Sequence, residues 1–310
     1  MVKTFASGKV ILLGEHAVVY GHPALACGLP SGASVTTTPG NGRLYVEAWQ
    51  CTVDLSVSDE RSVARAYRTI LRTFGVETLP VDLHLHFNIP TGAGLGSSAA
   101  MAVAIARAAA ATLELDPQDP RISQAANASE VEIHGRPSGI DQAFAESGCA
   151  VGLFTKQGGL SSFSLAAPFP LVIGHTGAAR DTKGRVARVS ELYEINREET
   201  AARFSAIASL VERSRQALVE GSLGVVGASM NENQRHLAAL EVSTPTIEQM
   251  CSIASDAGAL GSKLTGGGGG GCVIALCPID SIETSAVAVA KAWQRAGFAT
   301  TTMMIGGGAA

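Results

Sequence analysis

The chain has 310 residues, of which 46% are hydrophobic and 16% charged, enough length and apolar content for a sizeable core divided between two structural domains. Its net charge of -4 gives no electrostatic footprint for nucleic acid, and no apolar run reaches the ~18 residues that a membrane span needs. No charged segment precedes an apolar stretch at Met1, and the six cysteines (Cys27, Cys51, Cys149, Cys251, Cys272, Cys277) form no C-x-x-C pair, so they read as buried thiols and the expected location is the cytoplasm.

Lys3 to Ala6 and Val10 to Leu13 read as short strands on either side of a Ser7-Gly8 turn. Ala24 to Leu29, Val35 to Thr38 and Leu44 to Ala48 read as further strands, the last two separated by Pro39-Gly40-Asn41-Gly42. Ser62 to Phe74 carries Val63, Ala66, Tyr67, Ile70, Leu71 and Phe74 at helical spacing. Val81 to Ile89 alternates, with Val81, Leu83, Leu85, Phe87 and Ile89 on one face. His84 and His86 share the other face, where the absence of an evident third ligand favours a solvated surface over a metal site. An Ala-rich helix spans Met101 to Leu113. The next helix starts at Asp116-Pro117 or Asp119-Pro120, each an N-cap with Pro at the first helical position, and stops at Gly135 before Pro137.

Cys149 to Thr155 and Leu160 to Leu165 suggest a hairpin around Gly158-Gly159, and Pro168 and Pro170 mark a domain boundary, dividing the chain into 1–167 and 168–310. A strand over Leu171 to His175 and a charged loop within Thr176 to Val189 lead into helices at Glu191 to Glu220, Ser222 to Leu240 and Thr246 to Ala257. The apolar run Cys272 to Leu276 reads as a buried strand. A helix over Ile282 to Ala296 and a strand over Ala299 to Ile305 complete the chain, with no internal repeat.

The run Pro90-Thr91-Gly92-Ala93-Gly94-Leu95-Gly96-Ser97-Ser98-Ala99-Ala100 opens directly into the Ala-rich helix. Glycines let the backbone close around a polyphosphate, and the helix N-terminus offers N–H groups and the positive end of its dipole. The run is not a P-loop, which needs Gly-Lys-Ser/Thr after four residues. Nor is it a dinucleotide fingerprint, because Ser97 or Ala99 stands where the third glycine belongs. Gly266 to Gly271 is a second backbone surface built for close approach, since six consecutive glycines would each cost about 1 kcal/mol in a regular element. Glu130 and His134 lie four apart on one helix face. Asp141 follows the turn Pro137-Ser138-Gly139, where a loop can present a carboxylate to a hydroxyl.

Four separated stretches resemble the GHMP kinases, a family of small-molecule kinases. Ser7-Gly8-Lys9 through Gly14-Glu15-His16-Ala17-Val18-Val19-Tyr20-Gly21 is similar to their first motif, Pro90 to Ala99 to the central one, and Lys263-Leu264-Thr265-Gly266 through Leu276 to the third. Glu130-Val131-Glu132-Ile133-His134-Gly135-Arg136-Pro137-Ser138-Gly139-Ile140-Asp141 resembles the stretch that joins a metal-binding Glu to a catalytic Asp. The first and last of these are closest to the branch whose acceptor is (R)-mevalonate; galactokinases continue differently after Gly-Glu-His. Ser7 and Gly267 depart from the commoner Pro and Ala.

The resemblance implies an α+β fold, with an N-terminal domain like ribosomal protein S5 domain 2, a C-terminal ferredoxin-like domain and the active site in the cleft between them. It implies ATP as co-substrate with Mg²⁺, bound by Pro90, Gly92, Gly94, Leu95, Gly96, Ser97 and Ser98, with Ser98 and Glu130 on the metal. Asp141 is implied as the base, and Lys9 as the cation that holds it ionised and favours a developing alkoxide. Glu15, His16, Arg180 and Thr182 are implied on the acceptor side. Small-molecule substrates are the expected partners, with neither nucleic acid nor membrane, and a homodimer is left open. Another GHMP small-molecule kinase and an inactive ligand-binding member of the family remain the alternative readings.

Overall fold

The computed structural model describes residues 1–55, 58–135, 137–178, 181–279 and 282–307. In chain order its elements are β1 (Lys3–Leu13), β2 (Ala24–Pro39), β3 (Leu44–Val46), β4 (Cys51–Val53), α1 (Ser62–Thr73), β5 (Val81–Phe87), α2 (Ser97–Thr112), α3 (Pro120–His134) and α4 (Ile140–Ser147). There follow β6 (Gly152–Thr155), β7 (Gly159–Ser162), β8 (Phe169–His175), α5 (Thr182–Ile195), α6 (Arg197–Glu220), α7 (Leu223–Ala239), α8 (Pro245–Asp256), β9 (Gly261–Leu264), β10 (Cys272–Leu276), α9 (Val287–Arg295) and β11 (Ala299–Ile305). The chain is α+β, as expected.

Two compact units emerge. The first comprises residues 1–9, 31–91 and 96–148; the second comprises 10–30, 92–95 and 149–310. Strands β1 and β2 each run through both. The turn expected at Ser7-Gly8 is instead part of one continuous strand, because from Ala6 onward β1 is buried and Gly8 is not left-handed. β2 is likewise unbroken across Pro30. Its two ends have different partners, Ala24–Ala26 pairing with β6 and Ala33–Pro39 with β5, and β1 pairs with it as well.

In the first unit β3 pairs with β4 and, in parallel, with β5. The alternation read along β5 holds, with Leu83 and Leu85 buried and His84 and His86 exposed. Helix α1 contributes Val63, Tyr67, Ile70 and Leu71 to the core. Helix α2 is buried almost all round, which its alanines permit. Its one charged side chain, Arg107, donates to the carbonyls of Phe5 at 2.6 Å and Glu146 at 2.7 Å. Helix α3 starts at the second of the two offered N-caps, where the Asp119 side chain accepts from the Arg121 N–H.

In the second unit the strands lie in the order β11-β8-β10-β9, with antiparallel neighbours. With helices after β8 and α9 after β10, this is the split βαβ pattern of ferredoxin-like domains. Trp293 is wholly buried in its core, its indole N–H donating to the Met250 carbonyl at 2.8 Å. The helix expected over 191–220 divides at Asn196 into α5 and α6. Helix α7 meets strand β9 at glycines: a Cβ on Gly261 would stand 2.1 Å from the Gly227 carbonyl oxygen. That approach lets α7 satisfy the outer edge of β9. Asn231 Oδ1 accepts from Ser262 N at 2.9 Å and Gln234 Oε1 from Leu264 N at 3.0 Å. No helix among the described residues is long and apolar enough to cross a membrane.

Candidate active site

The glycine loop has left-handed backbone at Gly92, Gly94 and Gly96, and Gly96 is the N-cap of α2. A glycine N-cap adds no side chain to the first turn, where Ser97 and Ser98 stand. Ser98 Oγ donates to Glu130 Oε1 at 2.5 Å. Of the two carboxylates on this part of α3, Glu130 is 3% exposed and faces Ser98, while Glu132 is drawn into a surface pair with Arg65 at 2.8 Å. Burial raises the Glu130 carboxyl to about 7; its Ser98 hydrogen bond and nearby Lys9 oppose this, and Asp141 reinforces it. His134 Nε2 lies 4.0 Å from Glu130 Oε2.

Asp141 belongs to the first turn of α4, not to a loop, behind the left-handed Gly139 N-cap. The helix N-terminus favours a negative charge there. Lys9 Nζ is 3.0 Å from Asp141 Oδ1, with the lysine side chain 3% exposed and the aspartate 37%. The first unit therefore brings together Lys9, Ser98, Glu130 and Asp141 from three of the quoted stretches. Its donors are oxygens, a set suited to a hard cation, and a buried carboxyl pushed towards neutrality gains from such a charge. No cluster of three or more His, Cys, Asp or Glu suited to a metal occurs among the described residues. A site completed by Ser98 and phosphate oxygens has only one such residue, so the donor set fits Mg²⁺ held partly by substrate.

The second unit holds the predicted acceptor-side residues Glu15, His16 and Thr182. His16 has φ 61 and ψ -49, and Ala17 N donates to Glu15 O at 2.7 Å, which makes His16 the centre of a γ-turn of the rare positive-φ kind. Such backbone costs about 1–3 kcal/mol and persists where its surroundings over-determine it. His16 Nε2 lies 3.1 Å from the Gly267 carbonyl, so that nitrogen carries the proton. Burial lowers the imidazole to about 4, with Lys263 acting in the same direction and the Gly267 hydrogen bond against it. Thr182, the first residue of α5, lies over the glycine run: a Cβ on Gly267 would stand 2.8–3.2 Å from three Thr182 atoms. The absence of the commoner Ala there leaves room for Thr182. Arg180 lies outside the described residues.

Glu15 is 1% exposed and its carboxylate is engaged on both oxygens, Oε1 by Lys263 Nζ and Oε2 by Asn233 Nδ2 at 3.3 Å. Sequence pattern alone marks neither Lys263 nor Asn233 as a partner of Glu15. Lys263 appears only as the leading letter of the third motif, and the available signal for Asn233 was a run of amides, Asn231, Asn233 and Gln234, within a helix. His84 and His86 make surface contacts with Thr38 at 3.0 Å and Glu47 at 2.6 Å.

These motifs, on this fold, define a nucleotide-dependent small-molecule kinase, and the comparisons agree. The GHMP kinases N terminal domain matches residues 61–149 and the GHMP kinases C terminal domain residues 214–300. A mevalonate kinase of Thermococcus sibiricus is 32% identical, with 90% of each chain covered, and one of Pyrococcus horikoshii is 34% identical, with 88% of each covered. The crystal structure of L. major mevalonate kinase in complex with R-mevalonate superposes with a TM-score of 0.86 at 26% identity, covering 100% of this chain and 97% of that one. The chain belongs to the GHMP kinase family and is an ATP-dependent kinase.

Proposed function

We propose that the chain transfers the γ-phosphoryl of ATP to the 5-hydroxyl of (R)-mevalonate, giving ADP and 5-phosphomevalonate. The observation that carries this reading is the grouping of a buried lysine, a half-exposed aspartate and a Ser–Glu oxygen pair beside the N-terminus of the helix that follows the glycine loop. In phosphoryl transfer the protein chiefly positions the reactants and stabilises charge. Asp141 takes the hydroxyl proton as the oxygen bonds to the γ-phosphorus and the bond to the β–γ bridging oxygen breaks. The Lys9 ammonium stabilises the alkoxide charge as it develops. The backbone from Gly94 to Ser98 cradles the β- and γ-phosphates, with Pro90, Gly92, Leu95 and Ser97 shaping the same loop. Ser98 and Glu130 would hold Mg²⁺, which when bound neutralises phosphate charge.

On the acceptor side His16 and Thr182 are the contact residues, with Arg180 assigned there on the motif alone. Glu15 has both oxygens engaged within the protein, so its part is support and not direct contact. The acceptor assignment draws on the mevalonate kinases to which the chain is similar along most of its length. It is tested by coupled ADP release with mevalonate, galactose, homoserine and phosphomevalonate. Mevalonate is expected to exceed the others by at least ~10³-fold in kcat/KM, because a site built to pair polar groups rejects analogues that leave them unpaired. Faster turnover of another acceptor would move the chain within the family. No turnover with any would favour a ligand-binding role.

A further inference from the structure

Lys263 and Glu15 form an ion pair in which both side chains are essentially removed from water, at 0% and 1% exposure. Lys263 Nζ also donates to the Leu264 carbonyl at 2.5 Å, and Asn233 on α7 holds the second Glu15 oxygen. Burying two charges carries a large desolvation cost, and an apolar pair of similar volume is often as stabilising. Stability alone therefore gives little reason for this arrangement.

Its position in the chain does give one. The segment 11–16 is tied to the segment 263–267 at three places. Thr265 Oγ1 accepts from Ile11 N at 2.9 Å and donates to Ile11 O at 3.1 Å. Glu15 meets Lys263, and His16 meets the Gly267 carbonyl. The middle tie is made by the first residue of the strained γ-turn, and a strained turn needs anchors on its flanks. On the following side the turn is held by Val18 N donating to Gly14 O at 3.1 Å and by the short helical turn Ala17–Tyr20. On the preceding side the ion pair is the anchor. Lys263 is itself fixed by strand register opposite Ile274, in a strand whose far edge is held by Asn231 and Gln234.

We infer that Lys263 is a positioning residue for the acceptor: through Glu15 it clamps the His16 γ-turn and so sets where the imidazole and the Gly267 carbonyl stand. The inference rests on the acceptor-side reading of His16 given above. Because Glu15→Gln or Lys263→Met alone strands a buried charge, the test uses the double variant Glu15→Gln/Lys263→Met, His16→Ala, and the two combined. KM values for (R)-mevalonate and for ATP are measured for each.

The double variant is expected to raise KM for mevalonate by about 10-fold, with KM for ATP within about 2-fold of the parent. In the His16→Ala background the same double substitution is expected to add little further, since contacting residues in one unit are not additive. A general loosening of the fold would instead move both KM values and add to the effect of His16→Ala. If His16→Ala leaves the mevalonate KM unchanged, the acceptor-side reading fails and the clamp with it. If His16→Ala raises it while the double variant does not, the reading stands and the clamp is overturned. Should the double variant not fold, Glu15→Asp keeps both buried charges but draws the carboxylate back by one methylene from Lys263 and from Asn233; a several-fold rise confined to the mevalonate KM supports the clamp, and no change overturns it.

Discussion

Replacing His16 by Asn reads the environment of this buried imidazole through stability alone. In the folded chain burial holds this imidazole to about 4, against an ordinary value of 6.5. A base with a depressed folded value takes up its proton first in the unfolded chain. Its contribution is therefore intact above pH 6.5 and is lost as the pH falls from 6.5 through about 4. The whole interval corresponds to about 3 kcal/mol. By about pH 5 roughly 2 kcal/mol of that is already lost. Asn removes the titrating group and tolerates positive φ better than most residues. Urea denaturation at about pH 7 and about pH 5, on parent and variant, isolates the effect, because Glu130 and the other carboxylates are common to both. The parent should lose about 2 kcal/mol more than His16→Asn between the two conditions. Equal losses would mean that the folded ring is not held neutral, and would refute the argument from burial.

Asp141→Asn should lower kcat by at least ~10²-fold with little change in nucleotide affinity; near-normal turnover in a folded variant removes Asp141 from the chemistry. Glu130→Gln should raise the Mg²⁺ concentration needed for half-maximal rate, since it withdraws charge from a site that the triphosphate only partly completes. An unchanged Mg²⁺ titration would return Glu130 to the role of a buried helix carboxylate. Gly267→Ala places a methyl 2.8 Å from Thr182 Cγ2, an overpacking expected to raise the acceptor KM by about 10-fold. Thr182→Ser deletes that methyl and should recover most of the loss in the double variant, whereas no recovery would mean that Thr182 is not what the new side chain meets.

Where the signal is local, the sequence is a good guide. Asp119-Pro120 carries both the cap and the first helical residue of α3, and the apolar run Cys272 to Leu276 and the threonine-rich Ala299 to Ile305 are strands over those very bounds. What escapes is set by partners distant in the chain. Gly261–Leu264 has no strand pattern of its own and is a strand because β10 pairs with one edge and α7 amides satisfy the other. The turn signal at Ser7-Gly8 is overridden by the burial of β1, and the gap read between Leu29 and Val35 is closed because β2 runs on unbroken. Helix α4 is short, and its first turn looks like the tail of the Pro137–Gly139 turn. Among the site residues, Lys9, Ser98, Glu130 and Asp141 are legible because each sits in a motif, whereas Lys263 meets Glu15 across 248 positions that no local window spans.

Two lysine–carboxylate pairs among the described residues show why residue type within a motif does not by itself assign a role. In both, the ammonium is withdrawn from water, Lys9 at 3% and Lys263 at 0% exposure. The carboxylates differ. Asp141 is 37% exposed, so one face remains for a substrate hydroxyl while the other meets Lys9, and a proton can reach it without unpairing a buried charge. Glu15 is 1% exposed and fully engaged, so drawing it towards a substrate would leave the Lys263 ammonium without its counter-charge in a dry interior, at a cost of about 3–5 kcal/mol. A group with that penalty attached to movement serves as a fixed point, and a group with an open face serves as a reactant. The first is the part proposed for Glu15 under the strained turn, and the second is the part proposed for Asp141, where a proton would change hands.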